Sequence, residues 1–530
     1  MENKNTKVIH WVLIIAIVAL AFFIRSYQIE KIPAGVYPDE SVNGIDALTA
    51  IDTGNYQWFY TNNYGREGLF MNLISVSIRI WGHTALGLRA WSILFGTLTV
   101  LGMFFLGREI FRSSRAGLIA AYLQAFSFWA INFSRISFRA IMLPFILVFT
   151  FYFILRGLRT KSYWSFAAAG IFYGIGFHTY IAYRVSPLIF ILLLIFLIIS
   201  KENFIKEYWK HVLLFALVTL AFAAPLLLDF YHHPEYFETR ANAISVFSPE
   251  INQGNLIGTL AKSIGLSLVK YNFWGDQNWR HNYPPYPILD PISGILFLIG
   301  IIYAFIKLFH LLAIRFFKKI RDEKLVVLAL LIVWFFVMLM PEFLTAEGLP
   351  HALRSIGTMP AVFLLATIPA TWVIGKSENF GFFSKIGTLA LVTLAFLFIG
   401  IFNPVKYFFY WGENRNQHAM FNENFKNMAT FLLGLPPETN KFIYVNGGGQ
   451  IMNDGLPVSA EVVRYLAWGN VENFKYVKNE SEIDSTGTIV LMRYDQGFID
   501  RIKQRYPNAQ VQNIDLDKGF WSDFTIIKTD

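Results

Sequence analysis

The chain has 530 residues, of which 55% are hydrophobic and only 15% charged, with a mean hydropathy of +0.44. A soluble protein carries about 25% charged residues, so this composition excludes an ordinary soluble domain and indicates a polytopic membrane protein. The net charge of +9 does not mark a nucleic-acid binder, because the basic residues are scattered over short loops between apolar runs; the absence of cysteine excludes disulfides, thiolate metal sites and thiol nucleophiles.

Apolar runs long enough to span fall at about 8–26, 87–107, 116–133, 140–156, 163–182, 185–200, 211–230, 288–308, 325–342, 353–375 and 386–403. At roughly 20 residues per helix this predicts about eleven spans. The first run lacks a small-residue cleavage site and is expected to be a retained helix. Alternate loops carry the basic residues: Arg108, Arg112 and Arg115; Arg156, Arg159 and Lys161; Lys201, Lys206 and Lys210; Arg315, Lys318, Lys319, Arg321 and Lys324; Lys376 and Lys385. The positive-inside rule then predicts a cytoplasmic N-terminus, with residues 27–86, 231–287, 343–352 and everything after 404 outside. The expected organisation is a membrane domain over 1–403, including outer loops 27–86 and 231–287, and an extracytoplasmic domain over 404–530.

The first outer loop opens with "GVYPDESVNGIDAL", which sets Asp39 and Glu40 just beyond a membrane exit. Within it, "GLFMNLISVSIRIW" aligns Phe70, Leu73, Ile74, Ser77, Ile78 and Trp81 on one helical stripe, opposed by Asn72, Ser75 and Arg79. At roughly 13 residues this helix is too short to span and is expected to lie in the membrane interface. After Asn403 the chain becomes polar and β-like in "KFIYVNG", "GTIVLMRY" and "FTIIKTD", with a helical "GFIDRIKQRY" between the last two, which predicts a small α/β domain. "NGGGQIMNDG" has neither the strand–GxGxxG–helix order nor a Walker lysine, and its glycines read as a turn.

Arginines crowd the expected outer side: Arg66, Arg135, Arg139, Arg184, Arg240, Arg280 and Arg354. Snorkelling accounts for any single one, but several on one face suit a shared anionic ligand, since guanidinium matches phosphate oxygens bidentately. The outer carboxylates are Asp39, Glu40, Glu67, Asp276, Glu342 and Glu347, with His281 and His351 nearby in the sequence. His281 with Glu67 or Asp276 is the set a divalent ion would use, although no HExxH-type spacing supports it. No GxSxG order is present. One carboxylate with several cations at an outer membrane face suits glycosyl transfer from a lipid-phosphate sugar. There a base takes the acceptor's proton and cations stabilise the leaving phosphate. A glycosidase would need two carboxylates across the scissile bond.

The "PDE" of the first loop, "GREGLF", "FSRISFRA", "TYIAYRVSP" and "LPHALRSIG" resemble bacterial GT-C glycosyltransferases, in particular the family-39 and aminoarabinose-transferase-like group related to protein O-mannosyltransferases. The resemblance covers roughly 8–375. It implies an α-helical GT-C membrane fold, a polyprenyl-phosphate sugar donor, a lipid, glycan or protein acceptor, and an inverting displacement at the outer face of the cytoplasmic membrane. By motif position Asp39 is the expected base, with Glu40 beside it, and Glu67 matches an acid that forms the site or a metal position in relatives. Arg66, Arg135, Arg139, Arg184 and Arg354 are the expected donor-phosphate ligands. Tyr180, Asp276, His281 and His351 are expected to bind acceptor or sugar. The chain departs from some relatives after the third span, where "SRISFRAIMLP" holds no second acid. A transporter or lipid flippase is the rival reading; it calls for acids in mid-membrane, whereas these spans are largely free of them.

Overall fold

The computed structural model describes residues 4–238, 245–515 and 524–529, so Arg240 lies outside the described residues. The chain forms two compact units. The first comprises 1–27, 67–69 and 92–410, and the second 28–66, 70–91 and 411–530.

The first unit is helical. Among the described residues of the chain, nine helices are long and apolar enough to cross a membrane: Asn5–Ser26, Ala85–Phe111, Arg139–Thr160, Ile181–Ser200, Phe204–His232, Pro291–Phe317, Lys324–Phe343, Ile356–Ser377 and Phe382–Trp411. Each coincides with a run expected from the sequence. The remaining two runs fold differently. Run 116–133 breaks at Ser127 into helices Ser114–Phe126 and Phe128–Phe133. The break is tolerated because Arg25, wholly buried, reaches the carbonyls it frees: Nη1 donates to Ala125 O (3.1 Å) and Nη2 to Gln124 O (3.3 Å), while Nε donates to the Ser134 hydroxyl (3.1 Å). Run 163–182 yields a helix of only 14 residues, Tyr163–Gly176, before the chain turns. There Tyr183 folds back and donates its hydroxyl to Tyr173 O (3.0 Å).

Small residues let these helices approach closely, as expected where lipid removes the hydrophobic drive between helices. A Cβ on Gly300 of helix Pro291–Phe317 would lie 2.0 Å from Leu365 O of helix Met359–Ser377. Large apolar side chains such as Leu391, Leu394 and Ile401 of helix Phe382–Val405 remain exposed, as lipid-facing residues are.

The second unit holds a five-stranded sheet: β1 (Lys441–Tyr444), β2 (Phe474–Val477), β3 (Thr488–Leu491), β4 (Gln510–Ile514) and β5 (Phe524–Lys528). The spatial order is β2-β1-β3-β5-β4, with β1 parallel to β2 and β3, and β5 antiparallel to β3 and β4. Phe442, Ile489, Leu491 and Ile527 pack with Phe498, Ile499 and Ile502 of helix Gln496–Arg505 to form its core. The expected strands are β1, β3 and β5, whose sequences are apolar because both faces are covered. The polar edge strands β2 and β4 carry no comparable signal.

Residues 27–86, expected as a loop of the membrane domain, pack almost entirely within this second unit. Helix Pro38–Thr53 lies against helix Glu461–Ala467. A Cβ on Gly44 would come within 2.4 Å of the Tyr465 ring, whose hydroxyl donates to Thr84 O (3.1 Å). Lys426 Nζ donates to Ala34 O (2.9 Å) and Glu30 O (3.2 Å). The amphipathic helix forms at Leu69–Trp81 and buries Phe70, Ile74, Ser77 and Ile78 of the expected stripe; Ser75 and Trp81 depart from it. Ser75 is buried, its hydroxyl satisfied by Asn72 O (2.7 Å), while Val76, Ile80 and Trp81 are exposed.

Gly300→Val should therefore force helices Pro291–Phe317 and Met359–Ser377 apart and cost about 1–3 kcal/mol. A lowered Tm of the purified protein in detergent would register this. An unchanged Tm would mean that the helices do not meet at this position.

Candidate functional site

Helix Pro38–Thr53 starts at a proline that pre-sets its first turn, and its N-cap is Tyr37. Asp39 and Glu40, adjacent in sequence, have different fates there. Glu40 is fully buried. Its Oε2 accepts from the Tyr37 N–H (2.9 Å) and from Arg89 Nη2 (3.0 Å), and its Oε1 accepts from Arg89 Nε (3.0 Å). Both oxygens are committed, which makes Glu40 a residue that positions the helix start. Asp39 is half-exposed and accepts from Asn63 Nδ2 (2.8 Å).

Arg66, expected among the phosphate ligands, is buried and gives its two terminal nitrogens to Asn43 and Asp46 of the same helix. Asp46, held further by Asn62 Nδ2 (2.9 Å), was not singled out from the sequence. Its signal was available: Asp39, Asn43 and Asp46 follow at i, i+4 and i+7, one polar face of a helix. Glu461, from the C-terminal region, is buried beside this face; burial, with the charge of Asp46, pushes its carboxyl up to about 8.

In the first unit, Arg139 and Arg184 stand at the starts of two membrane helices, and Glu67 bridges them. Arg139 Nε donates to Glu67 Oε2 (2.9 Å) and Arg184 Nη2 to Glu67 Oε1 (3.3 Å). The Arg139 guanidinium lies 5.4 Å from the Tyr180 ring centre. Arg184 also donates to Phe237 O (3.0 Å) and stacks on Phe230 and Phe237. Burial raises the Glu67 carboxyl, but the two guanidiniums outweigh it and hold the group below its ordinary value. Glu67 is thus an anionic anchor. Two cations on one carboxylate leave a net positive charge, and the Nη groups of Arg139 make no hydrogen bond with the described residues. Glu67, Arg139, Tyr180 and Arg184 are therefore brought together.

Asp276, His281 and His351 form a second group, their ligand atoms within 4.8 Å of one another. Arg280 Nε donates to His281 Nε2 (2.9 Å), so the ring proton sits on Nδ1, which donates to Asp276 Oδ2 (2.8 Å). The same oxygen accepts from Ala352 N (2.7 Å). As hydrogen-bonded here, the His281 Nε2 lone pair is engaged by Arg280 and Glu67 is taken by two arginines. A divalent ion among Asp276, His281 and His351 would have to displace the His281 Nδ1 proton. Burial, with the Arg280 and Arg354 charges, drives His281 well below its ordinary value. Burial does the same to His351, aided by His281 and Arg354. Burial also lifts the Asp276 carboxyl despite the neighbouring His351 ring and the N–H bonds from Asn278 and Ala352. Lys270 and Glu342 extend the network as a fully buried ion pair, with the His351 N–H on Glu342 Oε1 (2.9 Å).

Two further expected phosphate ligands are spent on the fold. Arg135, fully buried, donates from Nη1 to Ile24 O (2.7 Å) and Arg25 O (2.9 Å), the last carbonyls of the first helix, and stacks on Tyr407 and Phe408. Arg354 binds Glu347 O (2.6 Å), Glu347 Oε2 (3.1 Å) and Thr345 Oγ1 (3.0 Å).

Residues 69–228 match the family model described as dolichyl-phosphate-mannose-protein mannosyltransferase. That stretch begins beyond Asp39 and Glu67 and contains Arg139, Tyr180 and Arg184. No curated protein matches the sequence. Among solved structures, the chain resembles ArnT from Cupriavidus metallidurans bound to undecaprenyl phosphate, with a TM-score of 0.57, 12% identity and 98% of each chain covered. The same protein in its apo state gives 0.55 at 13% identity, over 100% of this chain and 99% of that one. The Archaeoglobus fulgidus oligosaccharyltransferase tethered to an acceptor peptide gives 0.50 at 14% identity, over 89% of this chain and 64% of that one. At these identities the likeness is one of fold: the chain is a multi-pass membrane protein with the GT-C glycosyltransferase fold.

Two outcomes follow. Glu40→Gln removes the buried partner of Arg89 and should cost about 3 kcal/mol of stability, read as a lowered Tm. An unshifted Tm would mean that the pair does not hold the helix start. The histidines define a pH response. In the folded protein they stay neutral, whereas in the unfolded chain they titrate near their ordinary value of about 6.5. Above that pH their contribution is intact; below it the unfolded chain takes up protons that the fold refuses, and stability drops by up to about 1.4 kcal/mol per pH unit per histidine. The raised Asp276 opposes this only where pH falls through its own folded pKa. Tm should therefore decline between pH 7.5 and 5.5, and His281→Asn should flatten the slope. An equal slope in both proteins would refute the assignment.

Proposed function

We propose that this protein is a membrane glycosyltransferase that moves a sugar from a polyprenyl-phosphate donor to an acceptor hydroxyl or phosphate at the outer face of the cytoplasmic membrane. The observation that carries the proposal is the bridge of Glu67 to Arg139 and Arg184 at two membrane-helix starts, which leaves cationic donors unspent. The GT-C fold supports it. The acceptor is a lipid, a glycan or a protein, and the sugar a hexose or a pentose.

In the reaction the acceptor oxygen attacks the anomeric carbon, the sugar–phosphate bond breaks, and the phosphate leaves with the electron pair. The configuration inverts. A base must take the acceptor's proton, and cations must stabilise the phosphate. Asp39 takes the role of base, since Glu40 cannot accept a proton without breaking its bonds to Arg89 and Tyr37. Arg139 and Arg184 take the phosphate. Arg66, Arg135 and Arg354 serve the fold.

The test is transfer in vitro by the purified protein, with a panel of polyprenyl-phosphate sugars and mass spectrometry of the products. Asp39→Asn should lower turnover by about 10²–10⁴ while donor binding persists. Arg139→Ala should weaken donor binding by about 1.5–3 kcal/mol, and Arg139→Lys should restore only part of it, having no bidentate fork. Near-normal turnover in Asp39→Asn would remove the base assignment. Movement of the donor across a bilayer with no product formed would replace transfer by transport.

A further inference from the structure

A cavity of about 1180 Å³ opens at the other end of the helices that carry the arginine pair. Arg139 begins the 22-residue helix Arg139–Thr160, and Leu158 and Arg159 near its far end line the cavity, about 30 Å away along the axis. Likewise Arg184 lies near the start of helix Ile181–Ser200, and Leu197 and Ser200 at its end line the cavity. This is the end where the basic loops gather, the face expected to be cytoplasmic.

The lining has two characters. Its floor is apolar, with Leu158, Leu197, Val326 and Leu328 contributed by three helices. Its mouth carries seven cationic side chains and five carboxylates. Most of these cancel locally. Glu109 takes Arg159 (2.6 Å) and Arg112 (3.2 Å), Glu207 takes Lys161 (2.9 Å), and Glu202 takes Arg321. Asp322 accepts the Lys324 N–H (2.8 Å). Lys201, Lys307 and Lys324 make no ion pair with the described residues, against two carboxylates, Asp322 and Glu323, that also make none, so the mouth as a whole keeps two more cations than carboxylates. Lys201 lies over the Tyr208 ring, 5.5 Å from its centre, and is held at the mouth.

We propose that this cavity binds an anionic glycerophospholipid of the adjacent leaflet, the phosphodiester at Lys201, Lys307 and Lys324 and the first acyl segment on the apolar floor. A free phosphate would have no use for the floor, and a neutral lipid none for the lysines. The volume exceeds what a headgroup alone requires. Basic pockets between membrane helices on the cytoplasmic side are a known physical solution for lipid headgroups, and lysine suits a monoanionic diester as a point charge. This binding is separate from glycosyl transfer and stands whether or not that reading holds.

The experiment uses the full-length protein, delipidated in detergent and titrated with phosphatidylglycerol under native mass spectrometry. Phosphatidylcholine is the neutral control and inorganic phosphate the competitor. One phosphatidylglycerol should be retained at least tenfold more tightly by the wild type than by the triple variant Lys201→Ala/Lys307→Ala/Lys324→Ala, and phosphatidylcholine should show no such difference. Lys307→Glu alone, a milder change to the fold, should weaken retention several-fold, with reduced dependence on salt. Equal retention by wild type and variants would overturn the proposal. So would phosphatidylcholine held as tightly as phosphatidylglycerol, or displacement by millimolar phosphate, which would make this a site for the free anion.

Discussion

Buried backbone and charge must find partners inside the protein, because lipid offers none and an unsatisfied group there costs several kcal/mol. Arg25, Arg89 and Arg135 are all fully buried and spend their donors largely on carbonyls. Arg25 holds the break at Ser127, Arg135 closes the end of the first helix, and Arg89 ties Glu40 to the carbonyls of Ile29 and Gly35. The irregular segments of the chain persist because these guanidiniums satisfy them. Each supplies five donors in a fixed fork, which is what several converging carbonyls require.

That constraint decides which cations remain for chemistry. An arginine at a membrane boundary is either consumed by the backbone or held by a carboxylate in a way that leaves donors over. Arg135 belongs to the first kind and Arg139 and Arg184 to the second, while Arg354 is divided between the Glu347 carbonyl, the Glu347 carboxylate and the Thr345 hydroxyl. Arg66 is spent on Asp46 and Asn43. Glu67 settles the matter for its pair, since one carboxylate cannot neutralise two guanidiniums, and the surplus charge sits beside the Tyr180 ring.

The carboxylates divide by the same logic. Glu40 and Glu67 are buried and committed to arginines, whereas Asp39 stays half-exposed with a side-chain amide as partner. Helix Pro38–Thr53, which carries Asp39, rests on helix Glu461–Ala467, with Gly44 permitting the approach of Tyr465. The C-terminal region therefore supports the helix of the candidate base through packing, the Tyr465 ring lying against Gly44. No side chain of that region need take part in chemistry for it to matter.

Much of this was legible in the sequence. Apolar runs and alternating basic loops located the nine membrane-length helices, since span length and hydropathy are local properties of the chain. Strands β1, β3 and β5 were legible because their apolar runs are buried on both faces. The same holds for Glu67, Arg139, Tyr180 and Arg184 as boundary residues of interest, because a charge or polar ring at a helix start is visible in one dimension. The break at Ser127 was not legible, as its partner lies about a hundred residues away in Arg25. Nor was the sorting of the arginines: Arg139 and Arg184 meet Glu67 across 72 and 117 residues, and Arg135 meets Arg25 O across 110. Composition and periodicity determine which residues lie at a membrane boundary. Whether such a residue is consumed by a carbonyl or left for a ligand depends on helix packing, which brings distant segments together and which no local pattern encodes.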